Sequence, residues 1–248
     1  LRMMRAIRIA AELGFLVEEA TFKAIVTNAP NIKNISAERI RDELFKILKT
    51  EYVYDGLILL RNSGLLELIL AEVNAGFGVE QASPGRHHIY DVGTHSFLAV
   101  KFCPSYDPVV RLATLLHDVG KPPTFKKLPN GTITFYNHEV VGAKMAWQIG
   151  QRLKLSKEQL KKLVTLVRWH QFTVDERQTD SAIRRFMRRV GKEYIADMLA
   201  LRTGDRLGGG ARETSWRLEK YKERIEQLLV KPFTVADMAV DGHDVMET

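Results

Sequence analysis

Apolar residues recur at three- and four-residue spacing along most of this 248-residue chain, and almost nowhere at the two-residue spacing of strands. Residues 1–28 read as a helix pair. Ala6, Ile7, Ala10, Ala11 and Leu13 give the apolar stripe of the first helix, which Gly14 closes, and Phe22, Ile25 and Val26 mark the second. After a turn at 28–33 around Pro30, Ser36 is the expected N-cap of a third helix whose buried face is Ile40, Leu44, Ile47 and Leu48. A fourth runs over 54–73 with a break at Gly64. Residues 74–88, rich in Gly, Pro, Ser and Asn and without a period, read as a linker.

The second half keeps the helical period. Helices are predicted over 95–102, from Asp107 or Pro108 to His117 with Val109, Val110, Leu112, Ala113, Leu115 and Leu116 buried, and over 139–153. The next, 156–170, has Ser156 as cap, a core stripe of Leu160, Leu163, Val164 and Val167, and Lys157, Lys161 and Lys162 in water. Helices over 180–190, 194–205 and 213–229 follow, and residues 231–248 read as the start of a further helical region. Strands are expected in one place, TFKKLPNGTITFYNHE, where Asn130-Gly131 between β-type residues signals a hairpin. The expectation is an all-α fold: a helical neck at 1–80, then a helical bundle at 81–230 with one short β-hairpin.

Composition narrows the setting. At 45% hydrophobic residues the chain can bury a core, so disorder is excluded. One cysteine, Cys103, excludes an internal disulfide and a cysteine-rich zinc site and suits a reducing cytoplasm. The most apolar window, 56–73, is broken by Arg61, Glu67 and Glu72, so no membrane span is expected. A net charge of +7 favours a polyanionic partner, nucleic acid before a membrane surface. The chain opens in a helical pattern at Leu1-Arg2, which reads as a fragment.

The stretch LATLLHDVGKP carries the chemistry. It sets His117 beside Asp118 near the end of an apolar helix, with Gly120 and Pro122 as stop signals. Adjacent helical residues point about 100° apart, so the two side chains can meet only on something lying across the helix end. A metal ion meets that condition, and the carbonyl end of a helix also favours a cation. Further nitrogen and oxygen donors lie in or beside helical patterns at His95 (YDVGTHS), His138 (FYNHE), His170 (RWHQ) and Asp205 (RTGDRLGGG). Mixed imidazole and carboxylate donors without thiolate suit Mn, Fe, Co or Ni, with Mg as a partner ion. His87 and His88 fall in the linker and read as loop residues.

The order His95, His117-Asp118, His138, His170, Asp205 resembles the HD superfamily of metal-dependent phosphohydrolases, with HDVGKP the most specific string. The resemblance implies a first ion on His95, His117, Asp118 and Asp205, and a second on His138 and His170 with Asp118 as bridge. Asp118 and Lys121 are the expected catalytic residues, Lys121 neutralising a phosphate oxygen. A second resemblance covers the first part of the chain. LRMMRAIRIAAELGF followed by NIKNISAERIRDELFKIL looks like the neck of bacterial tRNA nucleotidyltransferases and poly(A) polymerases, and GVEQ, then HHIYDV, like the start of the HD body in that family. It implies nucleotide-reading roles for Arg2 and Arg5, a tRNA or other RNA 3′ end as partner, and nucleotides, 2′,3′-cyclic phosphates or phosphomonoesters as substrates of the body. No Gly-Gly loop with paired aspartates occurs in the sequence, so this chain is not expected to polymerise by itself.

Two other readings stand beside this one. Arg184, Arg185, Arg188 and Arg189 recur on one helix, with Lys192 nearby and Lys126-Lys127 on the hairpin, and could hold an RNA backbone in a non-catalytic body. A stand-alone HD phosphohydrolase acting on free nucleotides is the other.

Overall fold

The helical stripes of the sequence become helices almost one for one in the computed structural model, which describes residues 1–81, 89–175, 177–211 and 216–230. The described residues fall in two compact units, the first made of residues 1–171 and 197–211, the second of residues 172–196 and the described part of 212–230.

In the first unit, α1 (Arg2–Leu13) buries Met4, Ile7, Ala10 and Ala11 and ends at Gly14, whose left-handed φ of 66° lets the chain turn away. Leu13 does not join that stripe. At 100° per residue it lies well past a right angle from Ile7 and Ala11, and it is 54% exposed. The Glu18 carboxylate accepts hydrogen bonds from the amides of Ala20 and Thr21 and so caps α2 (Glu19–Asn28). A 3-10 turn, Ala29–Asn34, takes the place of the expected loop. Ser36 stands at the N-cap of α3 (Ala37–Leu48), but its hydroxyl makes no capping bond. The long helix expected over 54–73 is divided into α4 (Val53–Asn62), α5 (Leu65–Ile69) and α6 (Ala71–Asn74), with the first break at Gly64, φ 78°. Helix α1 packs against α3 and α4.

The chain then enters α7 (Val92–Phe102), capped by Asp91, and α8 (Pro108–Leu116), where Pro108 occupies the first turn and Asp107 accepts from the amides of Val109 and Val110. Every residue of α8 from Val109 to Leu116 is buried, because helices α3, α7 and α11 all pack on it. A short α9 (Lys121–Thr124) leads to the hairpin, β1 (Lys126–Lys127) and β2 (Ile133–Thr134), antiparallel with Lys126 opposite Thr134. Gly131 has φ 79° at the tip. Helices α10 (His138–Arg152) and α11 (Lys157–Trp169) pair with each other. Ser156 and Gln159 form a full capping box at the start of α11. Lys162 does not stay in water as expected. It pairs with Asp107 at 2.9 Å and Asp197 at 2.7 Å, since α11 presents it to two acidic neighbours.

The second unit contains α12 (Asp180–Val190), a 3-10 turn at Lys192–Tyr194 and α14 (Trp216–Leu229). Phe172, Phe186 and Tyr221 pack together there, with Phe172 4.5 Å from Phe186 and 5.8 Å from Tyr221. Arg224 donates to the Gln178 carbonyl and to Asp180. Between α12 and α14 in sequence runs α13 (Ile195–Gly208), whose residues from 197 onward belong to the first unit. Among the described residues the fold is all-α with one small two-stranded sheet, and no helix is long and apolar enough to cross a membrane. His87, His88 and residues 231–248 lie outside the described residues.

Candidate metal centre

Five elements of the first unit turn ligand-type side chains onto one cleft: α7 brings His95, the end of α8 brings His117 and Asp118, the start of α10 brings His138, the end of α11 brings His170, and α13 brings Asp205. All six residues expected from the sequence meet. They form two groups, His95, His117 and Asp205 in one, and Asp118, His138 and His170 in the other. Within each group the donor atoms lie within 4.8 Å of one another.

Backbone carbonyls set the direction of three rings. The Nδ1 of His117 lies 2.7 Å from the Thr114 oxygen, that of His138 2.8 Å from the Phe135 oxygen, and that of His170 2.7 Å from the Val167 oxygen. Each is the carbonyl three residues earlier, which a residue at a helix end can reach. Donation from Nδ1 turns the Nε2 edge of each ring into the cleft, the arrangement that orients imidazoles toward a shared centre. His95 Nε2 sits 3.1 Å from His117 Nε2 and 3.1 Å from an Asp205 oxygen. Asp118 faces both ways. Its Oδ2 lies 3.2 Å from His117 and 3.6 Å from His95, while its Oδ1 lies 3.4 Å from His138 and 3.7 Å from His170.

The pieces are brought together by close backbone packing. A Cβ at Gly204 would collide with the Ala99 oxygen and one at Gly208 with the Ala99 nitrogen, so α13 lies directly on α7 and Asp205 is held against His95. Gly120 is similarly close to α10: a Cβ there would collide with the His138 oxygen.

Electrostatics adds to the picture. Burial alone would push the His117 imidazole down, but Asp118 and Asp205 outweigh it and raise it to about 10. Burial also acts to raise Asp118, and His117 and Lys121 hold it well below the usual carboxylate range. Burial, then the His117 charge, pushes His170 down to about 3. Positive charge is thus favoured at His117, beside Asp118 and Asp205, and disfavoured at His170.

The residues fit a divalent ion. His138 Nε2 is buried without a hydrogen-bond partner although it faces Asp118, and four imidazoles with two carboxylates form a donor set suited to a transition metal. The cleft around them, about 630 Å³, is lined also by Gln81, Phe135, Tyr136, Arg202 and Arg206.

Lys121 is nearly buried, and its ammonium lies 2.6 Å from Asp118 Oδ2 and donates to Gln81 Oε1 at 2.6 Å. Gln81 and Arg202, which donates to Asp205 Oδ2 at 2.9 Å, are not apparent from the sequence. Gln81 sits in an aperiodic linker and meets Lys121 only through the fold, and Arg202 lies on an ordinary helix face three residues before Asp205. The remaining candidates lie elsewhere. Arg2 and Arg5 are exposed on α1, and Arg2 borders a second pocket with Thr21 and Asn28. Arg184, Arg185, Arg188 and Arg189 are on α12 of the second unit, all but Arg184 exposed.

Two families match this chain. The probable RNA and SrmB-binding site of polymerase A matches residues 14–77, and the HD domain matches residues 92–227. Among curated proteins, the A-adding tRNA nucleotidyltransferase of Deinococcus radiodurans is 38% identical over 216 residues, 83% of this chain and 48% of that protein. The CC-adding tRNA nucleotidyltransferase of Thermus thermophilus is 32% identical over 241 residues, 92% of this chain and 54% of that protein. The multifunctional CCA protein of Neisseria gonorrhoeae is 31% identical over 173 residues, 68% of this chain and 41% of that protein. The chain thus spans about half the length of the curated relatives it matches. With its polymerase A type RNA-binding neck followed by the body just described, the chain belongs to the HD domain family in the form found in tRNA nucleotidyltransferases.

Proposed function

We propose that this chain is the neck and body of a tRNA nucleotidyltransferase-like protein, with the neck at 1–80 and the HD body at 81–230, that it binds tRNA in the cytoplasm, and that its HD cluster hydrolyses phosphate esters. The observation that carries the last part is the convergence of six donor residues from five elements, three of the imidazoles fixed through Nδ1. His95, His117, Asp118 and Asp205 would hold one divalent ion, and His138 and His170 a second, with Asp118 between them. Mn, Ni, Co, Fe or Mg held there supplies Lewis acidity toward a phosphate ester and the attacking water.

The chain's own residues supply the rest. Asp118 joins the two groups through its two oxygens, Arg202 fixes the direction of the Asp205 carboxylate, and the Lys121 ammonium binds a phosphate oxygen. A cleft of about 630 Å³ is of nucleotide size. The substrate class is a 2′,3′-cyclic phosphate, a 2′-nucleotide or another phosphomonoester at a nucleotide or RNA 3′ end. The test compares wild type with His117→Ala after purification without chelator. Stoichiometric transition metal and hydrolysis of 2′,3′-cyclic AMP or a 2′-nucleotide are expected in wild type, and loss of both in the variant. Undiminished turnover in His117→Ala would refute the site, and an absence of metal in both after incubation with Mn and Ni would leave a non-catalytic RNA-binding body.

The RNA-binding part rests on the relatives' names and on the basic face of α12. Ion pairs from Arg184, Arg185, Arg188 and Arg189 to a tRNA backbone make affinity fall steeply with salt and little with sequence. Exchanging all four for Gln should flatten the salt dependence of tRNA binding, by about one unit of slope for each phosphate no longer neutralised. An unchanged slope would remove α12 from the interface. Arg2 and Arg5 are assigned to nucleotide recognition in the neck, and hydrolysis by a body that shows no tRNA affinity would favour a stand-alone nucleotide phosphohydrolase.

A further inference from the structure

Lys121 is held from three directions. Its ammonium is 2.6 Å from Asp118 Oδ2, donates at 2.6 Å to Gln81 Oε1, and lies 5.4 Å from the centre of the Phe135 ring. A primary ammonium carries three N–H donors. Asp118 and Gln81 take two, which leaves one for an anion in the cleft. Gln81 is itself fixed, since its amide nitrogen donates to the Tyr90 carbonyl at 3.2 Å and the residue is only 3% exposed. A lysine has a long flexible stem and a strong preference for water. With Asp118 as its sole acceptor, the ammonium could rotate about that carboxylate or pair with it completely.

We infer that Gln81 is a positioning residue: by accepting from Lys121 it keeps the ammonium at the cleft wall with one donor aimed at a phosphate oxygen of the substrate. Gln81 is neutral, so it orients the cation without cancelling its charge, as a carboxylate in its place would. Nor does it belong to the donor set for the ions, so its loss leaves both groups of metal ligands whole. This rests on the phosphohydrolase reading above for the identity of the anion, but the arrangement predicts phosphate binding whether or not turnover follows.

The experiment is a double-mutant cycle of Gln81→Met and Lys121→Met, read by titrating inorganic phosphate into the Mn-loaded chain and by metal content. Gln81→Met is expected to retain wild-type metal and to bind phosphate about tenfold more weakly, the scale of one charge-assisted hydrogen bond. In the Lys121→Met background the same change should have no further effect on phosphate, although it still lowers the melting temperature. Equal weakening in both backgrounds, or wild-type affinity in Gln81→Met, would overturn the assignment and leave Gln81 as a linker anchor. If Gln81→Met does not fold, Gln81→Asn, polar and one methylene too short to reach Lys121, enters the same cycle. Hydrolysis measured alongside separates the two ideas: wild type that binds metal and phosphate without turnover defeats the phosphohydrolase reading and leaves the Gln81 cycle intact.

Discussion

Asp118→Ala should reduce phosphate-ester hydrolysis by about a thousandfold or more and leave less than one equivalent of bound metal. The reason is its position between two groups of ligands. One oxygen faces His117 and His95, the other His138 and His170. Its removal leaves the second group with two imidazoles and takes a carboxylate from the first. It also leaves the Lys121 ammonium, 2.6 Å away, facing the cluster without its counter-charge, which repels a cation from the remaining ligands. His170→Ala touches only one group. It should therefore lose one ion and retain the other, so metal counting on the two variants separates a bridging carboxylate from an ordinary ligand. Equal metal content in both variants would refute the bridging role.

Arg111→Met should lower stability by about 3–5 kcal/mol while leaving the metal ligands untouched. Arg111 is 3% exposed on α8, and its guanidinium donates to three backbone oxygens: Ser105 at 2.7 Å, Leu48 at 2.6 Å and Thr50 at 2.9 Å. Leu48 closes α3, and the last carbonyls of a helix have no partner within it. Arg111 thus satisfies the end of a neck helix from inside the body, and its positive charge suits that end of the helix dipole. Methionine fills much of the same space but donates nothing, so the carbonyls are left without partners in a buried place. Urea denaturation of the metal-free chain measures the effect, and a decrease below about 1 kcal/mol would mean that water replaces the guanidinium.

The elements are legible in the sequence wherever the apolar stripe keeps the helical period. Leu44, Ile47 and Leu48 on α3 and Leu163 and Val167 on α11 are buried as their spacing predicts. Leu13 and Lys162 depart from expectation for one reason: residue type suggests a side of the helix, and the arrangement of neighbours decides it. The six donor residues can be picked out because their order, with HDVGKP at its centre, resembles the HD superfamily, whereas residue type alone would not single out Asp205 among the 30 acidic residues. Gln81, Arg111 and Arg202 cannot, because each acts through residues far away in the chain or from an unremarkable helix face.

The packing of α13 on α7 fixes one side of the cluster. Ala99 backbone atoms already occupy the space where side chains at Gly204 and Gly208 would begin, so the two helices meet without a compressible layer between them. The spacing of the backbones that carry His95 and Asp205 is accordingly fixed. Arg202 restrains the Asp205 carboxylate in turn, through the oxygen that does not face His95. This end of the cluster is thus framed by two glycines outside it, and a side chain at either would force α13 away from α7 and Asp205 away from His95.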